Sequence, residues 1–296
     1  MSVYTKVCFA YIQVSNNTTK NEIIHNYINN KMYRGFNLRI PNDFNNNQSR
    51  SIGEEILKKT NECVKESLDN YLLDNGSLYG NKIIEDWFPE IKSHLFLSHS
   101  HNDKEKAMTI AGILHEEFKI VTFIDSTVWG YANELLKKID NKYCLHTNGE
   151  NYDYDKRNYS TAHVHLMLST ALNKMIDNSE CLFFLNSPNS ISTSTEITNR
   201  TNSPWIFSEI ATSKIIRKET PQRLQRETKL FSAKDLVIMN ESAQIRLSVD
   251  YDLELSHLTE LNTNDLLRWK DTKVNSPENA LDNLYKQHPI NAKFLL

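Results

Sequence analysis

Five consecutive apolar residues, Cys181 to Leu185, closed by Asn186-Ser187-Pro188, place the tightest limit on what this chain can fold into. A run so short and so uniformly apolar reads as a strand buried on both faces, the habit of parallel sheets covered by helices. After a polar loop comes Ser203-Pro-Trp-Ile-Phe-Ser-Glu-Ile-Ala-Thr-Ser-Lys-Ile-Ile-Arg217. Ser203 can accept from a free first-turn amide, and Pro204 falls at the first helical position, where a missing N–H costs nothing. The reading is a helix from Pro204 with Ile206, Phe207, Ile210 and Ala211 as its apolar stripe. Glu209 stands four residues after Trp205, on the same helical face and at the edge of that stripe. Its carboxylate is therefore expected to be neither wholly buried nor wholly free.

The surrounding chain repeats the alternation of strand and helix. Residues 3 to 14 read as a modest strand, 21 to 32 as a helix, and Ser51-Ile-Gly-Glu54 has the spacing of a capping box, opening a helix that reaches about Leu73. Asn75-Gly76 and Gly80-Asn81 are turn signals. From Ser93 the order is a strand ending in Leu97-Ser-His-Ser-His101, a helix from Asp103 to Phe118, and a strand Ile120 to Asp125. Next come a loop with Trp129 and Gly130, a short helix to about Asp140, a polar insertion around 141–160 and a helix from Ser160 or Thr161 to Asp177. Beyond the Glu209 helix, Asp235 to Met239 and Gln244 to Val249 read as strands, Asp252 to Trp269 as partly helical, and Ser276-Pro-Glu-Asn as the cap of a last helix.

Strands separated by helical segments of this length imply an α/β fold: a three-layer, flavodoxin-like parallel sheet with helices on both faces. The organisation expected is an N-terminal extension over 1–92, an α/β domain over 93–255 and a helical tail over 256–296. The extension is either a separate module or an elaboration folded onto the domain. Ligands of such sheets sit beyond the carboxyl ends of the strands, so Ser98 to Asn102, Asp125 to Tyr131, and Asn186 through Glu209 should converge on one crevice.

A chain of 296 residues with 39% hydrophobic content can bury a large core. Its net charge of −3, with Lys, Arg, Asp and Glu intermixed, provides no basic stripe for nucleic acid or for a membrane surface. No stretch approaches the ~18 uninterrupted apolar residues of a membrane span. The four cysteines lie far apart without a C-x-x-C pair, which suits free thiols in a cytoplasmic protein.

Phe96-Leu-Ser-His-Ser-His-Asn-Asp-Lys104 resembles the first strand and loop of Toll/interleukin receptor (TIR) domains, and Val121-Thr-Phe-Ile-Asp125 resembles their second strand. Leu182-Phe-Phe-Leu-Asn-Ser-Pro188 followed by Ser203-Pro-Trp-Ile-Phe-Ser-Glu-Ile210 is similar to their third strand and Ser-x-Trp-x-x-x-Glu helix, with a longer loop between. The resemblance spans about residues 93 to 255. It implies cleavage of the nicotinamide–ribose bond of NAD, since many bacterial TIR domains perform it with a glutamate at the position matched by Glu209. NAD would be the substrate, with no further cofactor and no metal. Ser98, His99 and Ser100 are candidates for holding phosphate or ribose, Asp125 for orienting a ribose hydroxyl, and Trp129 and Trp205 for walling in nicotinamide or adenine. Tyr152, Tyr154 and Tyr159 lie in an insertion that is either a solvated loop or a gate over the pocket. The loop Ser126-Thr-Val-Trp-Gly-Tyr131 lacks the Arg-Asp-x-x-Pro-Gly wording common in receptor-type members. Stand-alone bacterial TIR proteins resemble the sensors of antiphage systems such as Thoeris, which implies self-association through the TIR domain and a nucleotide signal to a separate effector.

Two other readings use the same residues. A TIR domain that only binds other TIR domains, as adaptors do, would carry Glu209 as a surface residue. His99-Ser-His-Asn-Asp103 matches most of the H-x-H-x-D-H motif of metal-dependent hydrolases, but Lys104 stands where its last His is needed. His163 and His165, two apart on a helix, point about 200° from each other and do not make up the set.

Overall fold

The computed structural model describes residues 31–60, 67–192, 199–225, 249–272, 274 and 276–290, with backbone alone at 59–60 and 127–129. The strand and helix expected over 3–32 and the strands expected over 235–249 lie outside the described residues, apart from Lys31, Met32 and Val249, which are irregular.

The chain forms a three-layer α/β sandwich around a parallel five-stranded sheet. Its strands are β1 (Arg34–Arg39), β2 (Leu95–Ser98), β3 (Thr122–Ile124), β4 (Cys181–Leu185) and, after the short pair β5 (Arg200–Thr201) and β6 (Tyr251–Asp252), β7 (Thr259–Asn262). The sheet order is β3-β2-β4-β1-β7, while β5 and β6 pair antiparallel by themselves. The first three places agree with a flavodoxin-like order. The fourth is held by β1, which comes from before β2 in the chain. Phe36 pairs with Phe183 of β4 on one side and Thr259 of β7 on the other. The sheet thus draws strands from residues 1–92 and 256–296 as well as 93–255, and the described part of the first third is built into the fold rather than standing apart.

The helices are α1 (Asn47–Thr60), α2 (Gly80–Trp87), α3 (Lys104–Phe118), α4 (Ser126–Tyr143), α5 (Tyr154–Asp177), α6 (Pro204–Ile215), α7 (Thr263–Lys270) and α8 (Pro277–Gln287). Strand side chains alternate between two cores, as the pleat requires. Phe96, Phe123, Leu182 and Phe184 join α2, α4, α5 and α6 on one face. Leu95, Leu97, Cys181, Phe183 and Leu185 join α3, α7 and α8 on the other, together with Phe36 and Leu38 of β1.

Several boundaries differ from the sequence reading. The helix expected from Ser51 starts four residues earlier at Asn47 and ends at Thr60, and Leu68 to Tyr71 form a separate 3-10 turn. Gly80, read as a turn, opens α2. The loop expected around Trp129 and Gly130 is the start of α4. The last seven residues of the expected insertion, 154–160, are the first part of α5, which begins six residues before Ser160, because the Asp153 side chain accepts from the Lys156 amide at 3.0 Å and caps it there. Tyr154 and Tyr159 are consequently exposed helix residues.

α1 lies across α3 at backbone contact. A Cβ on Gly112 would stand 1.7 Å from the carbonyl oxygen of Ser49, and one on Gly53 2.0 Å from that of Met108. Any larger side chain at these positions forces the helices apart, so Gly112→Ala should lower stability by about 1–3 kcal/mol. Gly130, in α4, meets nothing within 4 Å of an added Cβ. Gly130→Ala should raise stability by roughly 0.5–1 kcal/mol through helix propensity alone. Denaturant midpoints of the two variants check the pair of opposite signs.

Candidate active site

β2 feeds α3 on one face of the sheet, whereas its neighbours β3 and β4 feed helices on the other. Their carboxyl ends therefore part around the end of β2 and leave the kind of crevice in which open α/β sheets bind ligands. Ser98 closes β2, Asp125 follows β3, and Glu209 enters from the second turn of α6. Local sequence fixes that last position: the Ser203 hydroxyl accepts from the Ile206 amide at 3.3 Å and Pro204 starts the helix. Ile206 and Ile210 anchor α6 in the core, which turns Glu209 inward between them.

The result is a buried polar cluster. Ser98, His99 and Asp125 are 0% exposed, Glu209 1% and Ser126 7%. His99 Nδ1 lies 2.6 Å from Asp125 Oδ1, and its Nε2 lies 3.1 Å from the hydroxyl oxygen of Ser126. The Leu97 carbonyl is 3.3 Å from Nδ1 as well. Glu209 faces the Ser98 hydroxyl and the Asp125 carboxylate. Its expected half-exposed place is corrected: the buried face of α6 is Ile206, Glu209, Ile210 and Ser213, while Phe207 turns outward and stacks on Tyr251 with ring centres 4.6 Å apart.

Burial, then the neighbouring Asp125 charge, hold the Glu209 carboxyl well above its ordinary value, against the Ser98 hydroxyl, which favours the charged form. Burial works against a charge on His99, yet the Asp125 carboxylate outweighs it and the imidazole titrates above its ordinary value. The crevice thus places a carboxyl that resists ionisation beside an imidazole that Asp125 favours in its charged form.

Of the other residues singled out from sequence, Ser100 is half-buried at the start of the 3-10 turn 101–103, where its carbonyl accepts from the Asp103 amide at 2.8 Å. Trp205 is partly buried against the core, its ring edge-on to His165 at 5.6 Å, so its contacts run toward α5. Trp129 is in the first turn of α4, and its side chain lies outside the described residues. Two residues gain roles that sequence did not assign. Ser126 is the partner of His99. Asp103, read as a helix start and as part of the TIR-like and metal motifs, is 1% exposed and ties the β2 loop to the β4 loop: Ser187 donates to it, Asn189 donates at 2.9 Å, and Lys106 approaches to 3.2 Å. His101 is exposed, and among the described residues no three His, Cys, Asp or Glu side chains gather to hold a metal ion. Likewise, no described helix is long and apolar enough to cross a membrane.

Both raised groups leave the native state with more bound protons than the unfolded chain, so both make stability fall as pH rises. Glu209 contributes nothing below its ordinary 4.5, where both states are protonated, and costs stability progressively above it. The His99 contribution is complete below 6.5 and is lost as pH climbs through the raised value. Glu209→Gln should accordingly melt several degrees higher than the parent at pH 8, each kcal/mol being worth about 2–4 °C, with the gain shrinking toward pH 4. Melting curves at pH 4, 6 and 8 measure it; a variant that gains nothing at pH 8 would contradict the buried acid. No protein-family model, curated protein or solved structure matches this chain.

Proposed function

We propose that this chain is a TIR-type enzyme that cleaves the nicotinamide–ribose bond of NAD, acting as a glycohydrolase or ADP-ribosyl cyclase in bacterial antiphage immunity. The observation that carries the reading is the place of Glu209: a carboxyl on the Ser-Pro-Trp-Ile-Phe-Ser-Glu helix, enclosed at the carboxyl ends of β2 and β3 beside Ser98 and Asp125. Nicotinamide leaves as a neutral base and needs no general acid, so one carboxylate suffices where ordinary glycosides require two. Glu209, ionised against the ribose, would stabilise the oxocarbenium-like centre, and enclosure away from water strengthens that interaction. A bound nicotinamide cation is the charge that lets Glu209 lose its proton in a site that otherwise keeps it neutral. Ser98 and Asp125 would hold ribose hydroxyls. The product passes to a separate effector or the reaction depletes NAD, and self-association through the sheet domain would set when the site opens.

One observation favours a second reading. Glu209 is only 1% exposed, not the surface residue expected of a non-catalytic TIR binding module but a carboxyl enclosed like one that serves packing alone. A mass-resolved assay of the full chain and Glu209→Gln with NAD separates the two, run at low and high protein concentration with and without lysate of phage-infected cells. Nicotinamide release by the parent, reduced at least ~10²-fold in Glu209→Gln, is the expected outcome. The co-product, ADP-ribose or its cyclic form, distinguishes water from an internal acceptor. Equal turnover by the variant would remove Glu209 from the chemistry.

A further inference from the structure

NAD cleavage employs Glu209, Ser98 and Asp125 and leaves Ser126 without a task. Yet Ser126 and Asp125 grip opposite nitrogens of one imidazole, with Asp125 Oδ1 at 2.6 Å from Nδ1 and Ser126 Oγ at 3.1 Å from Nε2 of His99. Those are the two contacts that a hydroxyl nucleophile needs: a base within reach of its proton, and a carboxylate that fixes the base's tautomer and orientation. The three groups are also graded in depth. Ser126 is 7% exposed, while His99 and Asp125 are 0%. The nucleophile stands outermost and its activators lie behind it.

Asp125 precedes α4 as its cap residue, where an aspartate ordinarily accepts from a first-turn amide. Here it makes no capping bond and turns to His99 instead. The first amides of an eighteen-residue helix are left without a side-chain acceptor from the cap residue, next to the Ser126 hydroxyl, where an oxyanion would form. Tautomer control, nucleophile and anion donors thus come from one strand-to-helix junction and the imidazole before it.

We propose that Ser126 is a nucleophile activated by His99, and that the crevice transfers small acyl groups from esters to water, an activity that does not rest on NAD cleavage. Ser126 Oγ attacks the ester carbonyl carbon while its proton passes to His99 Nε2. The C–O bond to the leaving alcohol breaks, the alcohol takes the proton from His99, and an acyl ester remains on Ser126. Water then attacks that ester, gives a proton to His99, and releases the carboxylic acid as Oγ takes the proton back. Asp125 is a positioning residue that acts through the imidazole. The enclosure of the cluster selects short acyl chains.

A fluorophosphonate probe, with p-nitrophenyl acetate as the ester, tests this on the full chain. Peptide mapping should find the phosphonate on Ser126, and p-nitrophenolate release should show a burst with an acetylated Ser126 peptide. His99→Gln should slow labelling on the order of 10²-fold. The labelling rate should rise with pH about a midpoint above 6.5, set by Asp125 against burial with Asp103 beyond it, and Asp125→Asn should lower that midpoint. Ser126→Cys keeps the side chain's size and should be alkylated by iodoacetamide at pH 7 far faster than an unpaired thiol. A folded parent chain that stays unlabelled at Ser126, labelling that His99→Gln leaves unchanged, or a thiol of ordinary reactivity in the Ser126→Cys variant would each overturn the proposal.

Discussion

β4 is hydrogen-bonded on both edges and apolar on both faces, and the remainder of the molecule is arranged by that fact. Its five residues are all buried, with β2 on one side and β1 on the other. A strand enclosed in this way cannot satisfy its backbone until both neighbours are in place. One neighbour comes from far earlier in the chain and brings β7 with it. The sheet consequently closes only after residues more than 200 apart, Phe36 and Thr259, have paired, and the ends of the described chain are held in one core by a single central ladder.

The crevice above β2 rests on that ladder, because the sheet alone sets how far apart the ends of β2 and β3 and the start of α6 stand. Into it the fold places two carboxyls and an imidazole, all buried. Such a grouping is costly, since every charge there must be matched or suppressed. The chain does both: Asp125 lies against His99, and a charge on Glu209 is disfavoured by burial and by the neighbouring Asp125. A core designed for stability alone would fill this volume with apolar side chains. Polar groups kept neutral at a strand end are ready to change protonation when a charged ligand arrives, which is how perturbed carboxyls mark working sites.

Sequence disclosed the parts of this arrangement that are local. The run Cys181 to Leu185 and the Ser203-Pro204 start of α6 carry their own signals, and both elements fall where those signals put them. The convergence of Ser98, His99, Asp125 and Glu209 followed from the strand-end rule. β1 was missed for a physical reason. In Arg34-Gly-Phe-Asn-Leu-Arg39 only Phe36 and Leu38 look like core, because Arg34 and Asn37 are made fit for burial by distant partners. Arg34 donates to the His288 carbonyl at 2.6 Å and to Thr259 at 2.8 Å, and Asn37 donates to Glu260 at 2.8 Å. No window of local sequence contains them. Ser126 escaped for a related reason: Trp129 and Gly130 looked like a loop, and the significance of Ser126 exists only once the imidazole of His99 has been laid against it.

The same contacts decide which wall of the crevice can yield to a substrate. The β2 loop is pinned through Asp103 to Ser187, Asn189 and Lys106. α6 is held by Ile206 and Ile210 in the core, and its Ser213 hydroxyl lies 2.8 Å from His257 Nε2. Moving either element breaks several buried interactions at once. Asp125 makes no side-chain capping bond at the start of α4, and Ser126 there is the member of the cluster with the most exposure, 7%. A ligand that reaches the cluster therefore meets Ser126 first, with His99, Asp125 and Glu209 behind it.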